Sequence, residues 1–423
     1  MLRPLPTAAQ LRWQRSGFGV FYHFGINTFT GREWGTGAED PALFDPAELD
    51  TDQWLAVAAA AGARYAVLTA KHHDGFCLWP TATTGHSVAA SPWRGGGGDL
   101  VAEFVDSCRR HGIGPGLYLS PWDRNAACYP DVAAYDKFYL AQLTELCTGY
   151  GPLDELWFDG AGSAGRSYDW NAIMDLVGAR QPEAMVFNMG RPTIRWIGNE
   201  DGLAQDPVRY AVDRIRNDNY TDAQLTVAGS YLPPECDVSI RRGWFHHAAE
   251  GPKSLDHLLA IHYRSIGLGA NLLLNLPPDT RGLIPDEDAA RMAEWRAELD
   301  ARFGRPAPTT VRDEPDGTVT ADFGAEITLD HLDLVEELEA GQRITGHEIR
   351  TEDGGLLASG QTVGVLRRHV FGARTVRRLL LTGTTDEGLL AAAHLDRILA
   401  HHTGHVRPPQ LPPDYAASTE PPG

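Results

Sequence analysis

The stretch Leu153-Asp154-Glu155-Leu156-Trp157-Phe158-Asp159-Gly160 alternates apolar and polar residues, as a buried strand does, and then ends in an acid followed by glycine. A carboxylate at the C-terminal tip of such a strand has fixed backbone behind it and an open pocket in front. In parallel barrels the chemistry sits on that face, which the strand-to-helix loops build. Asp159 can equally cap the next helix or hydrogen-bond its own turn. The rest of the chain decides between these readings.

Working outward, GVFYHFG (19–25), RYAVLTA (64–70), GPGLYLS (114–120), AMVFN (184–188) and NLLLN (271–275) also read as buried strands. Helical patterns fall between them at 51–61, 100–111, 132–150 and 170–180. The first has Asp50-Thr51-Asp52 as cap candidates and stops at Gly62. The third places Tyr135, Phe138, Tyr139, Gln142 and Leu146 on one face, a core pattern. Residues 254–267 read as the last helix before the final strand, and 286–302 as a solvent-facing helix of alternating charge. Regular strand–helix alternation means a parallel sheet, and polar residues gathered at the strand ends favour a (β/α)8-type barrel over residues 1–303. Beyond Gly304, period-two patterning with turn signals predicts an antiparallel β-sandwich over 304–405. The Pro/Ser/Thr-rich stretch 406–423 reads as a disordered tail.

Bulk properties narrow the function classes. The 423 residues include 43% hydrophobic and 22% charged side chains, enough for a packed core. With 37 basic against 56 acidic side chains the net charge is −19, which argues against nucleic acid or an anionic membrane surface as partner. No apolar run reaches signal-peptide or membrane-span length, which predicts a cytoplasmic enzyme, or a secreted one if the N-terminus was trimmed. Five scattered cysteines form no CxxC pair. No GxGxxG follows a strand, and the glycines at 95–98 lack a GK[ST] ending, so they read as a loop with Asp99 at a helix cap.

The strand tips supply the chemistry. His23 ends the first strand, with Glu33-Trp34 downstream; His72-His73 end the second, Tyr118 the third, and Trp157 and Asp159 the fourth. Polar groups interleaved with tryptophan suit a neutral sugar: hydrogen-bond partners for hydroxyls, flat apolar faces for C–H edges. Three histidines at barrel tips also admit a metal-dependent hydrolase or isomerase. Adjacent in an extended segment, His72 and His73 should point apart unless the chain turns there, and no HxH or HExxH is present.

FYHFGINTF…EW (21–34), KHHDGFCLWP (71–80) and LWFDG (156–160) resemble the signatures of family 29 glycoside hydrolases, the retaining α-L-fucosidases. WIGNEDG (196–202) and PPECDVSIRRGWFHH (233–247) resemble the subgroup specific for α-1,3/1,4-linked fucose. The likeness runs in order from about Leu11 to Leu276. It implies a barrel followed by a sandwich, a fucosylated oligosaccharide as substrate, and neither metal nor cofactor. By resemblance, Asp159 falls on the nucleophile and Glu200 on the acid/base. His23, Glu33, Trp34, His72, His73, Tyr118 and Trp157 fall on fucose contacts, Arg241 and Trp244 on the segment closing the pocket, and Glu235 and Asp237 on residues holding a branching galactose.

Retaining hydrolysis needs two carboxyl groups about 5–5.5 Å apart, one attacking C1 and one protonating the leaving oxygen. Asp159 must start ionised and Glu200 protonated, the latter helped by an apolar neighbour such as Trp196. Glu235 and Glu250 remain competing candidates for the acid.

Overall fold

The computed structural model describes residues 3–215 and 225–415. Eight strands form one parallel sheet: β1 (Phe18–Tyr22), β2 (Tyr65–Lys71), β3 (Gly114–Leu119), β4 (Glu155–Trp157), β5 (Met185–Phe187), β6 (Arg195–Trp196), β9 (Pro234–Ser239) and β10 (Asn271–Asn275). The hairpin β7 (Ala211–Ile215) and β8 (Leu225–Tyr231) stands outside it. Neighbours run β5-β4-β3-β2-β1-β10-β9-β6, and a parallel bridge from Phe187 to Ile194 brings the two edges together into a barrel. Side chains alternate across the wall. Phe21, Val67, Tyr118, Trp157, Phe187 and Leu273 fill the barrel interior, while Val20, Tyr22, Leu68, Leu117 and Leu272 pack outward under the helices.

All six strands read from the sequence are present, and their helices follow: α3 (Thr51–Ala61), α4 (Leu100–Arg110), α5 (Val132–Gly149), α6 (Trp170–Arg180), α7 (Leu255–Arg264) and α8 (Asp286–Phe303), after the short α1 (Ala8–Ser16) and α2 (Ile26–Thr30). Asp50 and Asp99 cap their helices through Gln53 N and Ala102 N, and Gly62 closes α3 at φ 92°, where a side chain would be strained. Helix α8 differs from its expected solvent-facing character. Asp288, Met292, Trp295, Leu299 and Arg302 recur at helical spacing on a buried face, with Trp295 against Phe18. The alternating charges belong only to its outer face.

Beyond α8 the long antiparallel strands β12 (Val319–Glu336) and β15 (Arg367–Thr385) slip register after Asp322. One half pairs with β11 (Thr310–Asp313), β13 (Ile344–Thr351) and, through it, β14 (Leu356–Gly360); the other pairs β12 with β17 (Leu395–His401). The two-residue β16 (Gly388–Leu389) folds back on the end of β15. A separate core of Val319, Leu332, Leu334, Ile349, Leu379 and Leu381 makes this the C-terminal sandwich. Its seam with the barrel is polar. Arg367 grips Asp206 at 2.7 and 2.6 Å, and Arg368 grips Asp333 while lying 3.4 Å from the centre of the Phe303 ring. Residues 406–415 carry no helix or strand, and Tyr415 packs edge-on against His257; the rest of the expected tail lies outside the described residues.

Candidate active site

The barrel strands send polar residues to the C-terminal rim. His23 follows β1, His72-His73 follow β2, Asp159 follows β4, Asn188 follows β5 and Glu200 follows β6, while Tyr118, Trp157, Asp237 and Asn275 come from within strands. All of these but Asn275 line one cavity, with about 740 Å³ of space between its walls. Its wall includes His23, Glu33, Trp34, His72, His73, Tyr118, Trp157, Asp159, Glu200, Asp237 and Trp244. Phe21, Phe187, Asn188 and Trp196 also line it.

The two adjacent histidines do converge, against the extended-chain expectation. Between Thr69 and Lys71 the pairing with β3 slips by one residue, so Lys71 faces outward to Asp123 (2.8 Å) and Gln142 (2.9 Å). The chain then turns at once, and the rings of His72 and His73 lie 4.1 Å apart. Partners fix their proton positions. Ser120 donates to the Trp122 carbonyl, so its Oγ accepts from His73 Nδ1 at 2.7 Å, leaving Nε2 an acceptor 3.6 Å from Asp159 Oδ2. Asn275 donates to Ser239 and to the Trp244 carbonyl, so its Oδ1 accepts from His23 Nδ1 at 2.9 Å. Burial pushes His23 down to about 3 and His73 down to about 4, against the pull of Asp159 on the latter. Both are neutral hydrogen-bonding groups at ordinary pH. Among the described residues no three His, Cys, Asp or Glu side chains gather as a metal site, and the metal-centre reading is not favoured.

Asp159 is held at both oxygens, by Tyr118 Oη at 2.8 Å and the Ala161 amide at 2.8 Å. Burial and the aspartate itself push the Tyr118 phenol well up, so it remains a donor. Beneath, Trp157 stacks on Phe187 at 3.9 Å and forms the apolar floor. Trp244 joins two acids: its amide donates to Glu33 Oε2 (2.8 Å) and its indole to Glu200 Oε2 (3.2 Å). Asp237 accepts from Trp196 Nε1 at 2.7 Å; burial first, then the charges of Glu200 and Glu235, push its carboxyl well up.

Two expected site residues lie elsewhere. Glu235 sits one layer below the cavity, accepting from Tyr65 Oη (2.7 Å) and Trp157 Nε1 (3.2 Å). Burial pushes it up to about 7, and burial with the charge of Glu235 pushes the neighbouring Glu155 well up; bonded to Trp157, Glu235 positions the floor. Arg241 is fully buried and turned away, bonded to both oxygens of Asp288 (2.9 and 3.0 Å) and to the Glu250 carbonyl. It anchors the 240–250 loop to α8 rather than reaching a sugar. Glu250 Oε2 accepts from the Gly243 amide at 3.1 Å and does not line the cavity.

The α-L-fucosidase family profile matches residues 38–298, more than half of the chain. The chain belongs to that family. It is an α-L-fucosidase, a glycoside hydrolase. Over 90% of its length the fucosidase is 37% identical to α-L-fucosidase 1 of Arabidopsis thaliana, covering 86% of that protein. It superposes on a family 29 glycoside hydrolase from an unknown rumen bacterium with TM-score 0.85 at 32% identity, covering 98% of this chain and 79% of that one. A Ruminococcus gnavus family 29 fucosidase in complex with fucose matches with TM-score 0.83 at 27% identity, over 94% and 95% of the two chains.

Two cavity residues carry little sequence signal. Trp196 enters the sequence reading only as a neighbour of Glu200, and Asn188 leaves one clue. Asparagine after a strand tolerates the left-handed backbone it adopts here at φ 56°.

Proposed function

We propose that the fucosidase removes α-1,3/1,4-linked L-fucose from branched, Lewis-type oligosaccharides by double displacement. The observation that carries this is that Asp159 and Glu200 line one cavity, whereas Glu235 and Glu250 do not. Asp159 attacks C1 as the glycosidic bond breaks, and Glu200 passes its proton to the leaving oxygen. Water then attacks the fucosyl–Asp159 ester, gives its proton to Glu200, and Asp159 leaves. Tyr118 and the Ala161 amide hold the attacking carboxylate in one orientation. Neutral His23, His72 and His73 serve the sugar hydroxyls, and Trp157 and Trp244 its apolar faces. The linkage preference rests on the resemblance of segments 196–202 and 233–247 to the branched-substrate subgroup.

Hydrolysis of Lewis a and Lewis x trisaccharides, compared with 2′-fucosyllactose, tests the linkage. The branched sugars should be strongly preferred; preference for 2′-fucosyllactose overturns the subgroup. Inverted rather than retained anomeric configuration in the first-formed fucose, read by proton NMR, overturns double displacement.

A further inference from the structure

A second concavity opens beside the first. It is lined by Arg195 to Gly198, by Gln205, Pro207 and Val208, and by Val212, Arg214 and Ile215 of the hairpin. At about 1190 Å³ against 740 Å³ it is the roomier of the two, and Trp196 lines both. Its position relative to Glu200 gives it a role. A general acid must reach the leaving oxygen, so the leaving sugar lies on the side of the acid. Residues 195–198 lead into Glu200 and 205–208 follow it, so the groove walls belong to the segment carrying that acid.

Its charge is unusual for a chain of net −19. No carboxylate lines it among the described residues, while two guanidinium groups do. Arg195 donates only to the carbonyls of Arg209 (3.1 Å) and Trp196 (3.4 Å), its Nε is buried with no hydrogen-bond partner, and it pairs with no described acid. Burial pulls it down to about 10, still charged at neutral pH. Arg214 is exposed on β7. Resting on the reading of Glu200 as the acid, we propose that this groove is the leaving-group subsite. Arg195 and Arg214 make the enzyme favour branched fucosides whose leaving portion carries an anion, either a sugar carboxylate or a sulfate ester. Guanidinium groups pair with both, and half-buried Val212 offers apolar surface to a ring face between.

The test measures kcat/KM for three branched fucosides: a neutral trisaccharide, the same sugar bearing sialic acid on the leaving portion, and the same sugar bearing a sulfate ester there. At low salt at least one anionic substrate should exceed the neutral one by about tenfold. The ratio should shrink as ionic strength rises to about 0.5 M. Which anionic arm gains identifies the source. Arg214→Glu, an exposed change, should bring the ratio to one or below. Equal rates on all three substrates at low salt, or an unmoved ratio in Arg214→Glu, overturn the subsite. An aryl fucoside, too short to enter the groove, separates the two levels. If wild type cleaves it without anion preference, only the groove assignment falls; if no fucoside is cleaved, the catalytic reading falls and takes the groove with it.

Discussion

Asp333 at the barrel–sandwich seam and Asp74 beside the catalytic cavity are the same residue type at the same depth, 1% and 2% exposed. They titrate in opposite directions. Arg368 meets Asp333 with two bonds, at 2.8 and 2.6 Å, and holds its carboxyl far below the ordinary range despite burial. Asp74 sits in the turn that carries His72 and His73, where burial first, and then Glu39 and Asp123, push it up to about 7. Asp237 at the cavity wall goes the same way, for want of a cation and with Glu200 nearby. At the seam, buried charge is neutralised between two strands of the sandwich, and the paired Arg368 then packs on Phe303 of the barrel's last helix. At the rim, acids and histidines are left unneutralised and therefore adjustable, which is what a site that must move protons requires.

That contrast breaks most sharply when each region loses a central charged group. Asp159→Ala should lower turnover of every fucoside by roughly 10³–10⁵-fold while the protein stays folded. Added azide should restore turnover and release fucosyl azide; near-normal activity without azide would place the nucleophile elsewhere. Glu200→Ala should cost roughly 10²–10⁴-fold on natural sugars. Its loss on aryl fucosides with good leaving groups should be far smaller, and equal loss on both would remove Glu200 from the acid role. The seam should answer in stability instead. Arg368→Met strands Asp333 in the interior and should cost about 3–5 kcal/mol in denaturant unfolding, with kcat/KM on an aryl fucoside little changed. Full stability in that variant would mean the seam pair holds nothing together.

How far this contrast can be read from residues alone differs between the two sides. The catalytic rim is largely legible, because strand patterning of period two ends visibly in Asp159, His23 and His72-His73. Strand β9 escapes, since PECDVS carries two acids and a proline and looks like a loop. Its pattern makes sense only inside a closed barrel, where Glu235 and Asp237 face inward while Cys236 and Val238 pack outward. Two-residue β6 is too short to show any period. Glu235 and Arg241 read as sugar contacts because a motif records neighbours along the chain and not which side of the wall they face. The seam leaves no signal at all, as Arg368 and Asp333 meet only when β12 and β15 pair, and Arg368 meets Phe303 only when the sandwich docks on the barrel.

The smallest effect separates the two aspartates by pH. An acid whose folded pKa is raised keeps its proton in the native state while the unfolded chain loses it. From about pH 4 to about pH 7, Asp74 therefore makes unfolding easier as pH rises, by at most about 1.4 kcal/mol per pH unit. Buried His23, His72 and His73 act oppositely: below about pH 6.5 the unfolded chain takes up protons that the native rings refuse, so their contribution to stability falls as pH drops. The raw stability profile mixes the two, and only a difference isolates Asp74. An asparagine in its place mimics the protonated acid and keeps an acceptor for the Phe76 amide, now bonded at 2.7 Å. Asp74→Asn should match wild type near pH 4 and gain on it steadily up to about pH 7. For Asp333 the folded pKa is depressed, so its contribution is present above about pH 4 and is lost as pH falls below that. A stability difference between wild type and Asp74→Asn that stays flat across about pH 4–7 would mean that Asp74 is ionised in the native protein. Rim and seam would then hold their acids in the same charge state, and the contrast between them would rest on geometry alone.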